Sequence, residues 1–207
     1  MARRPLTARR LLGLDRSGPP PPETLSGQPL NPWTIPNAIG VARLALLPVF
    51  LIVALGDDDG RSWTAFAIYA FVAGTDYLDG MAARITGQYS RLGTLLDPLT
   101  DRALVISGAI VCWKFELLPR WALAVLAARE LLMLVLTRIA FKRGLELEVK
   151  MLGRWAVWPV MSALALAMVT DGVVPEALLY FGLALTLGAT AQYLREGWEH
   201  LRPSSST

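Results

Sequence analysis

Of the chain's 207 residues 54% are hydrophobic, and its mean hydropathy of +0.43 is more apolar than a water-soluble domain of this size usually shows. Apolar runs near the membrane-spanning length of about 20 residues recur along it, so the class is an all-α, polytopic integral membrane protein with one natural domain. The charge of +3 and pI of about 9.3 fit cytoplasmic Lys/Arg loops better than nucleic-acid binding, and a single cysteine, Cys112, with a single histidine, His200, excludes an intrachain disulfide and His/Cys zinc chemistry.

Residues 1–30 read as a disordered cytoplasmic tail. Arg3, Arg4, Arg9, Arg10 and Arg16 precede the run Pro19 to Pro22, which favours extended polyproline II and prevents helix. No long apolar core follows the arginines, as a signal peptide would need. A weak tether to anionic lipid headgroups is a sharper reading of the same residues. Six spans are predicted within a domain over residues 31–200. The first, about Ile35–Leu55, ends at the turn Gly56-Asp57-Asp58-Asp59-Gly60. The others are about Trp63–Ala83, Gly93–Trp113, Trp121–Phe141, Trp155–Val169 and Pro175–Leu194. Trp33, Trp63, Trp113, Trp121 and Trp198 fall near span ends, where indole rings favour the interface. Residues 201–207 form a second disordered tail. The N-terminal arginines, the Arg84–Arg91 loop, the Lys142–Arg154 loop, and Arg195 with Arg202 alternate with weakly basic or acidic turns. Lys/Arg enrichment marks the cytoplasmic side, so both termini are expected there, in a multi-pass protein of the cell membrane.

Four carboxylates interrupt these apolar segments. Asp76 and Asp79 are three apart and share a helical face; Asp97 and Asp101 are four apart and share another. The connection Ile85–Leu92 permits only a tight turn, so the two helices are antiparallel neighbours and their acidic faces meet near the cytoplasmic end. A carboxylate at the bilayer centre costs about 2.5–3.5 kcal/mol or more, and four together repel unless cations or protons neutralise them. All-oxygen ligation suits Mg²⁺ or Mn²⁺, and four carboxylates are enough to hold two such ions about 3.5–4 Å apart, an arrangement for phosphoryl chemistry. Gly80 and Gly93 allow close approach of a substrate or helix, Arg84 can neutralise a phosphate oxygen, and Ser90 can donate to the same group. The spacing alone leaves alternatives open: an ion pathway in a cation transporter or channel, or pairing with buried arginines such as Arg43 or Arg102. A transporter of that kind should show inverted repeats or broken spans, and no internal repeat is present.

The pattern Asp76-x-x-Asp79-Gly80-x-x-Ala83-Arg84, eight residues, Gly93-x-x-x-Asp97-x-x-x-Asp101 resembles the complete signature of the CDP-alcohol phosphotransferase (CDP-alcohol phosphatidyltransferase) family, with every fixed position filled. The resemblance covers about Pro32 to Leu194 and implies six spans around a cytoplasmic active site. It implies that Asp76, Asp79, Asp97 and Asp101 bind two divalent cations, Mg²⁺ or Mn²⁺, and that Asp101 also serves as general base. Gly80, Ala83, Arg84, Ser90 and Gly93 would form the side of the site that binds the CDP donor. CDP-diacylglycerol would then pass its phosphatidyl group to an alcohol and release CMP. A homodimer is implied by the same resemblance.

Shorter segments bear on the acceptor. Thr34-Ile35-Pro36-Asn37 followed by Arg43 resembles the opening of phosphatidylglycerophosphate synthases and related bacterial cardiolipin synthases. Asn37 either borders the nucleotide or sits at or near a helix cap. Ala128-Arg129-Glu130-Leu131 resembles a motif of the glycerophosphate-using group. Arg129 lies in an apolar run, and because adjacent helix positions diverge, an anionic acceptor or another helix's carboxylate is the expected partner, ahead of Glu130. Arg129, Arg138 and Arg154 are the acceptor candidates, although basic residues here also serve as positive-inside anchors. Leu152-Gly153-Arg154 replaces the usual Gly-Lys, a departure toward actinobacterial-type cardiolipin synthases, whose acceptor is phosphatidylglycerol. Glycerol 3-phosphate is the expected acceptor and phosphatidylglycerol the alternative.

Overall fold

The computed structural model describes residues 31–86, 88–142 and 151–201. The Pro-rich segment 1–30, residues 143–150 of the Lys142–Arg154 loop, and the tail from 202 lie outside the described residues.

Six helices and the turns between them make up the described chain: α1 (Ile35–Leu55), α2 (Trp63–Thr86), α3 (Arg91–Lys114), α4 (Arg120–Lys142), α5 (Met151–Ala167) and α6 (Val173–Leu201). Each contains one expected span, apart from the last two residues of the fifth. α6 continues past the expected end at Leu194 because the apolar pattern stops there while no helix-breaking proline comes before Pro203. α5 begins before Trp155 and ends at Ala167, ahead of the turn that carries Gly172 at φ 121°. Pro48, Pro98 and Pro159 lie inside α1, α3 and α5. Each removes one helical N–H, which apolar helices tolerate when neighbouring groups take up the freed carbonyl.

Among the described residues, two helical segments are long and apolar enough to cross a bilayer, Ile35–Leu55 and Val173–Arg195, while Ala156–Ala167 is a shorter apolar stretch. The segments over α2, α3 and α4 are diluted by charge, with Asp76, Asp79 and Arg84 on the first, Asp97, Asp101 and Arg102 on the second, and Arg129, Glu130 and Arg138 on the third.

The chain divides into two compact units. Among the described residues, one takes those up to Val53 together with Ala67–Leu104, and the other takes Ala54–Phe66 and those from Val105 onward. In the first unit Leu47 and Phe50 of α1, Tyr69 and Val72 of α2 and Leu104 of α3 are buried. The rings of Phe50 and Tyr69 meet at 5.3 Å between centroids.

In the second unit α5 packs along α6, and α4 also meets α6. Leu123 and Leu126, Val160 and Leu164, and Leu179 and Leu183 form the buried seams of these three helices. Gly182 sets the α5–α6 approach: a Cβ there would stand 2.7 Å from Val160 Cγ2 and 2.8 Å from the Val160 backbone nitrogen. A small residue at such a crossing lets two helix backbones come close. Trp121 stacks on Tyr180 with centroids 5.5 Å apart. Between α1 and α2, Arg61 donates from both terminal nitrogens to the Asp171 carboxylate, and this hydrogen bond is the main cause that raises the Arg61 pKa.

Candidate functional site

The site begins with the caps of α1 and α3. Thr34 caps α1, its Oγ1 accepting the Asn37 N–H at 3.4 Å. Ser90 caps α3, its Oγ accepting the Gly93 N–H at 3.0 Å. The same Ser90 hydroxyl donates to Asn37 Oδ1 at 2.7 Å, while Asn37 Nδ2 donates to the carbonyls of Asn31 at 2.9 Å and Pro32 at 3.2 Å. Ile35 N–H donates to Gln88 Oε1 at 3.0 Å, a second link between the α1 start and the α2–α3 turn. Asn37 and Ser90 are both buried. A Cβ on Gly93 would stand 3.0 Å from Asn37 Oδ1 and 3.2 Å from Ser90 Oγ. Three of the six donor-side candidates, Asn37, Ser90 and Gly93, therefore form one closed polar knot. Asn37 lies in the first turn of α1 and is not its cap.

Deeper along α1, Arg43 is 2% exposed and lies between two other helices. Its Nη1 donates to Asp76 Oδ1 at 3.0 Å, its Nη2 to Asp101 Oδ1 at 3.3 Å, and its Nε to the Val72 carbonyl at 3.2 Å. Burying a guanidinium is tolerable only with such partners. Helix geometry explains why these two carboxylates meet. Asp76 lies ten residues before the end of α2 at Thr86, and Asp101 lies ten residues after the start of α3 at Arg91. At a rise of 1.5 Å per residue both lie about 15 Å from the turn, side by side in an antiparallel pair.

The carboxylates remain open where the guanidinium is closed: the Asp76 and Asp101 side chains are 43% and 37% exposed. Asp79 and Asp97 lie about one turn nearer the connection on their helices, and Asp97 is exposed. Gly80, half-buried Ala83 and Arg84 follow on α2. The side chains of Asp79 and Arg84 lie outside the described residues. Of the expected four-carboxylate cage, the described residues bring together Asp76 and Asp101, and among those residues no group of three or more His, Cys, Asp or Glu is placed to hold a metal ion. Partly exposed carboxylate oxygens from two facing helices are nonetheless the hard donor set that Mg²⁺ or Mn²⁺ takes.

The acceptor candidates fall differently. Arg129 Nη1 donates to Glu130 Oε1, both side chains buried, and its Nε donates to Thr190 Oγ1 of α6 at 3.0 Å. This corrects the expectation that Glu130 is a poor partner for Arg129. Backbone directions at adjacent positions do diverge, but two long side chains can fold back toward each other, and burial leaves the cation no better acceptor. Arg138 is exposed on α4, nine residues on. Nine residues are two and a half helical turns, so Arg129 and Arg138 point from opposite faces of α4. The Arg154 side chain lies outside the described residues. The sequence offers Arg43 as part of the segment that opens with Thr34 and as a candidate partner for the acidic residues; its bridging of two helices has no local signal beyond a cation inside an apolar run.

Half-open carboxylates displayed by antiparallel helices from either side of a short turn define a helical protein with a polar site suited to cations and phosphate-bearing ligands. The model of the CDP-alcohol phosphatidyltransferase family matches residues 33–188, and the chain belongs to that family of enzymes. It is 39% identical over 145 residues to a CMP-forming cardiolipin synthase of Streptomyces coelicolor, covering 67% of this chain and 66% of that relative. It is 31% identical over 192 residues to a CDP-diacylglycerol–glycerol-3-phosphate 3-phosphatidyltransferase of Bacillus subtilis, covering 84% of this chain and 100% of the relative. A transferase of the same description from Pseudomonas fluorescens is 31% identical over 183 residues, covering 81% and 92%. The family match overturns the transporter and channel alternative.

Proposed function

We propose that this enzyme transfers the phosphatidyl group of CDP-diacylglycerol to glycerol 3-phosphate, giving phosphatidylglycerophosphate and CMP. The observation that carries this reading is the meeting of Asp76 and Asp101 from two helices inside the family-matched region, supported by the relatives that act on glycerol 3-phosphate. Transfer to phosphatidylglycerol, giving cardiolipin, is the second reading. Identity to the Streptomyces cardiolipin synthase and the presence of Arg154 favour it.

In this proposal Asp76, Asp79, Asp97 and Asp101 hold two divalent ions, Mg²⁺ or Mn²⁺, which supply positive charge to the donor's diphosphate. Asp101 takes the proton of the acceptor hydroxyl. The hydroxyl oxygen attacks the phosphorus nearest the lipid, a new P–O bond forms, the bond to the CMP phosphate breaks, and CMP leaves with the electron pair. Asp101 contributes by position, since a carboxylate beside cations is a weak base in water. Gly80, Ala83 and Arg84 flank the donor. The Asn37–Ser90–Gly93 hydrogen bonds support a positioning part for those three, holding α1 and α3 in place beside it. Arg138 and Arg154 are the candidates for the acceptor phosphate. All six helices cross the cell membrane, both termini and the active site face the cytoplasm, and the enzyme is a homodimer.

The test is purified protein in detergent with CDP-diacylglycerol and either glycerol 3-phosphate or phosphatidylglycerol, with identification of the lipid product. Phosphatidylglycerophosphate supports the first reading and cardiolipin the second; no CMP release with either acceptor refutes both. A chelator should abolish turnover, and Mg²⁺ or Mn²⁺ should restore it.

A further inference from the structure

The geometry points to Arg43 as a positioning residue that also sets the charge of the site, a role resting on the phosphatidyl-transfer reading above. Its guanidinium is buried, whereas the two carboxylates it bridges are partly exposed. A ligand can therefore reach Asp76 and Asp101 without displacing it. The Nη1 and Nη2 contacts each use one carboxylate oxygen, Oδ1, and a carboxylate has two oxygens and about four acceptor positions. The hydrogen bond from Nε to the Val72 carbonyl anchors the guanidinium to the α2 backbone. Arg43 thus fixes Asp101 of α3 relative to α2 by a planar fork that a lysine cannot reproduce.

The charge follows from the same contacts. Four aspartates carry four negative charges, and Arg43 cancels one of them. With two divalent ions bound, the loaded site is then one unit more positive than it would be without Arg43. A donor bearing an anionic diphosphate is drawn more strongly to the more positive site. Arg43 therefore weakens the binding of ions alone and strengthens the binding of donor once the ions are present.

Opposite shifts in two constants test this. In Arg43→Gln, Mn²⁺ binding followed by electron paramagnetic resonance without donor should tighten about tenfold, and the KM for CDP-diacylglycerol should rise about tenfold at saturating Mn²⁺. Arg43→Lys keeps the charge and loses the bridge. Both constants should then stay within about threefold of native while kcat falls about tenfold or more. The thermal midpoint gives an independent reading: Arg43→Gln should melt below native in chelator, and Mg²⁺ should close that gap. If Arg43→Gln does not fold without ions, it is purified in Mg²⁺ and the lysine variant carries the comparison. Constants that move in the same direction, or do not move, in Arg43→Gln overturn the proposal, as does an Arg43→Lys enzyme with native kcat. Native protein that binds Mn²⁺ but releases no CMP refutes the function proposed above instead, and the Mn²⁺ and thermal measurements still judge Arg43.

Discussion

Asp101 is held by Arg43 on one side and is more than one third exposed on the other, the disposition of a group that must meet a substrate and still be aimed. Asp101→Asn keeps the shape and one acceptor oxygen for Arg43 but loses the charge and cannot take a proton. CMP release should fall by about 10²–10⁴-fold, with the protein still folded by its thermal midpoint; undiminished turnover would reject Asp101 as the base. Ser90 differs, because its hydroxyl joins Asn37 to the first turn of α3. Ser90→Ala removes the cap and leaves Asn37 Oδ1 without that buried donor, so stability should drop by about 1–2 kcal/mol. The thermal midpoint in detergent measures it. A lost activity with an unchanged midpoint would instead make Ser90 a donor contact. At this scale the four aspartates were legible because charge is conspicuous in apolar sequence. The knot of Asn37, Ser90 and Gly93 was legible only as three residue types, since its bonds join positions 53 residues apart.

Among the elements, the pairing of α2 with α3 could be anticipated: a short connection leaves two helices no option but to run antiparallel, and equal distances from the turn bring Asp76 and Asp101 level. The tie between α4 and α6 could not. Arg129 and Glu130 are neighbours in sequence, yet the reason they pair is burial against Thr190, which only packing reveals. Arg129→Met leaves Glu130 buried without its partner and should destabilise the protein by about 3–5 kcal/mol, whereas Arg129→Met with Glu130→Met should recover most of that loss. Melting of both variants checks it. If the single variant melted like native and raised the acceptor KM, Arg129 would return to the acceptor site.

For the whole molecule, the family match starts at residue 33, and every residue proposed for the site lies after residue 30. An enzyme lacking residues 1–30 should therefore keep CMP release within about threefold of the full chain, the scatter expected when no contact to the reacting groups is removed. Complete loss of activity in a truncated protein that remains folded would show that the tail takes part in the chemistry. By itself the sequence determined the all-helical class, the helix limits to within seven residues and the order of the acidic signature, and the resemblance of that signature implied the family. The class, the limits and the order follow from local periodicity, apolar run length and spacing along one chain. Tertiary structure alone decided that one buried guanidinium bridges Asp76 and Asp101, that Asn37 and Ser90 close on each other, and that Arg129 turns to Glu130. Each of these depends on which helices meet and which side chains lose water when they do, and that is a property of packing with no period along the chain.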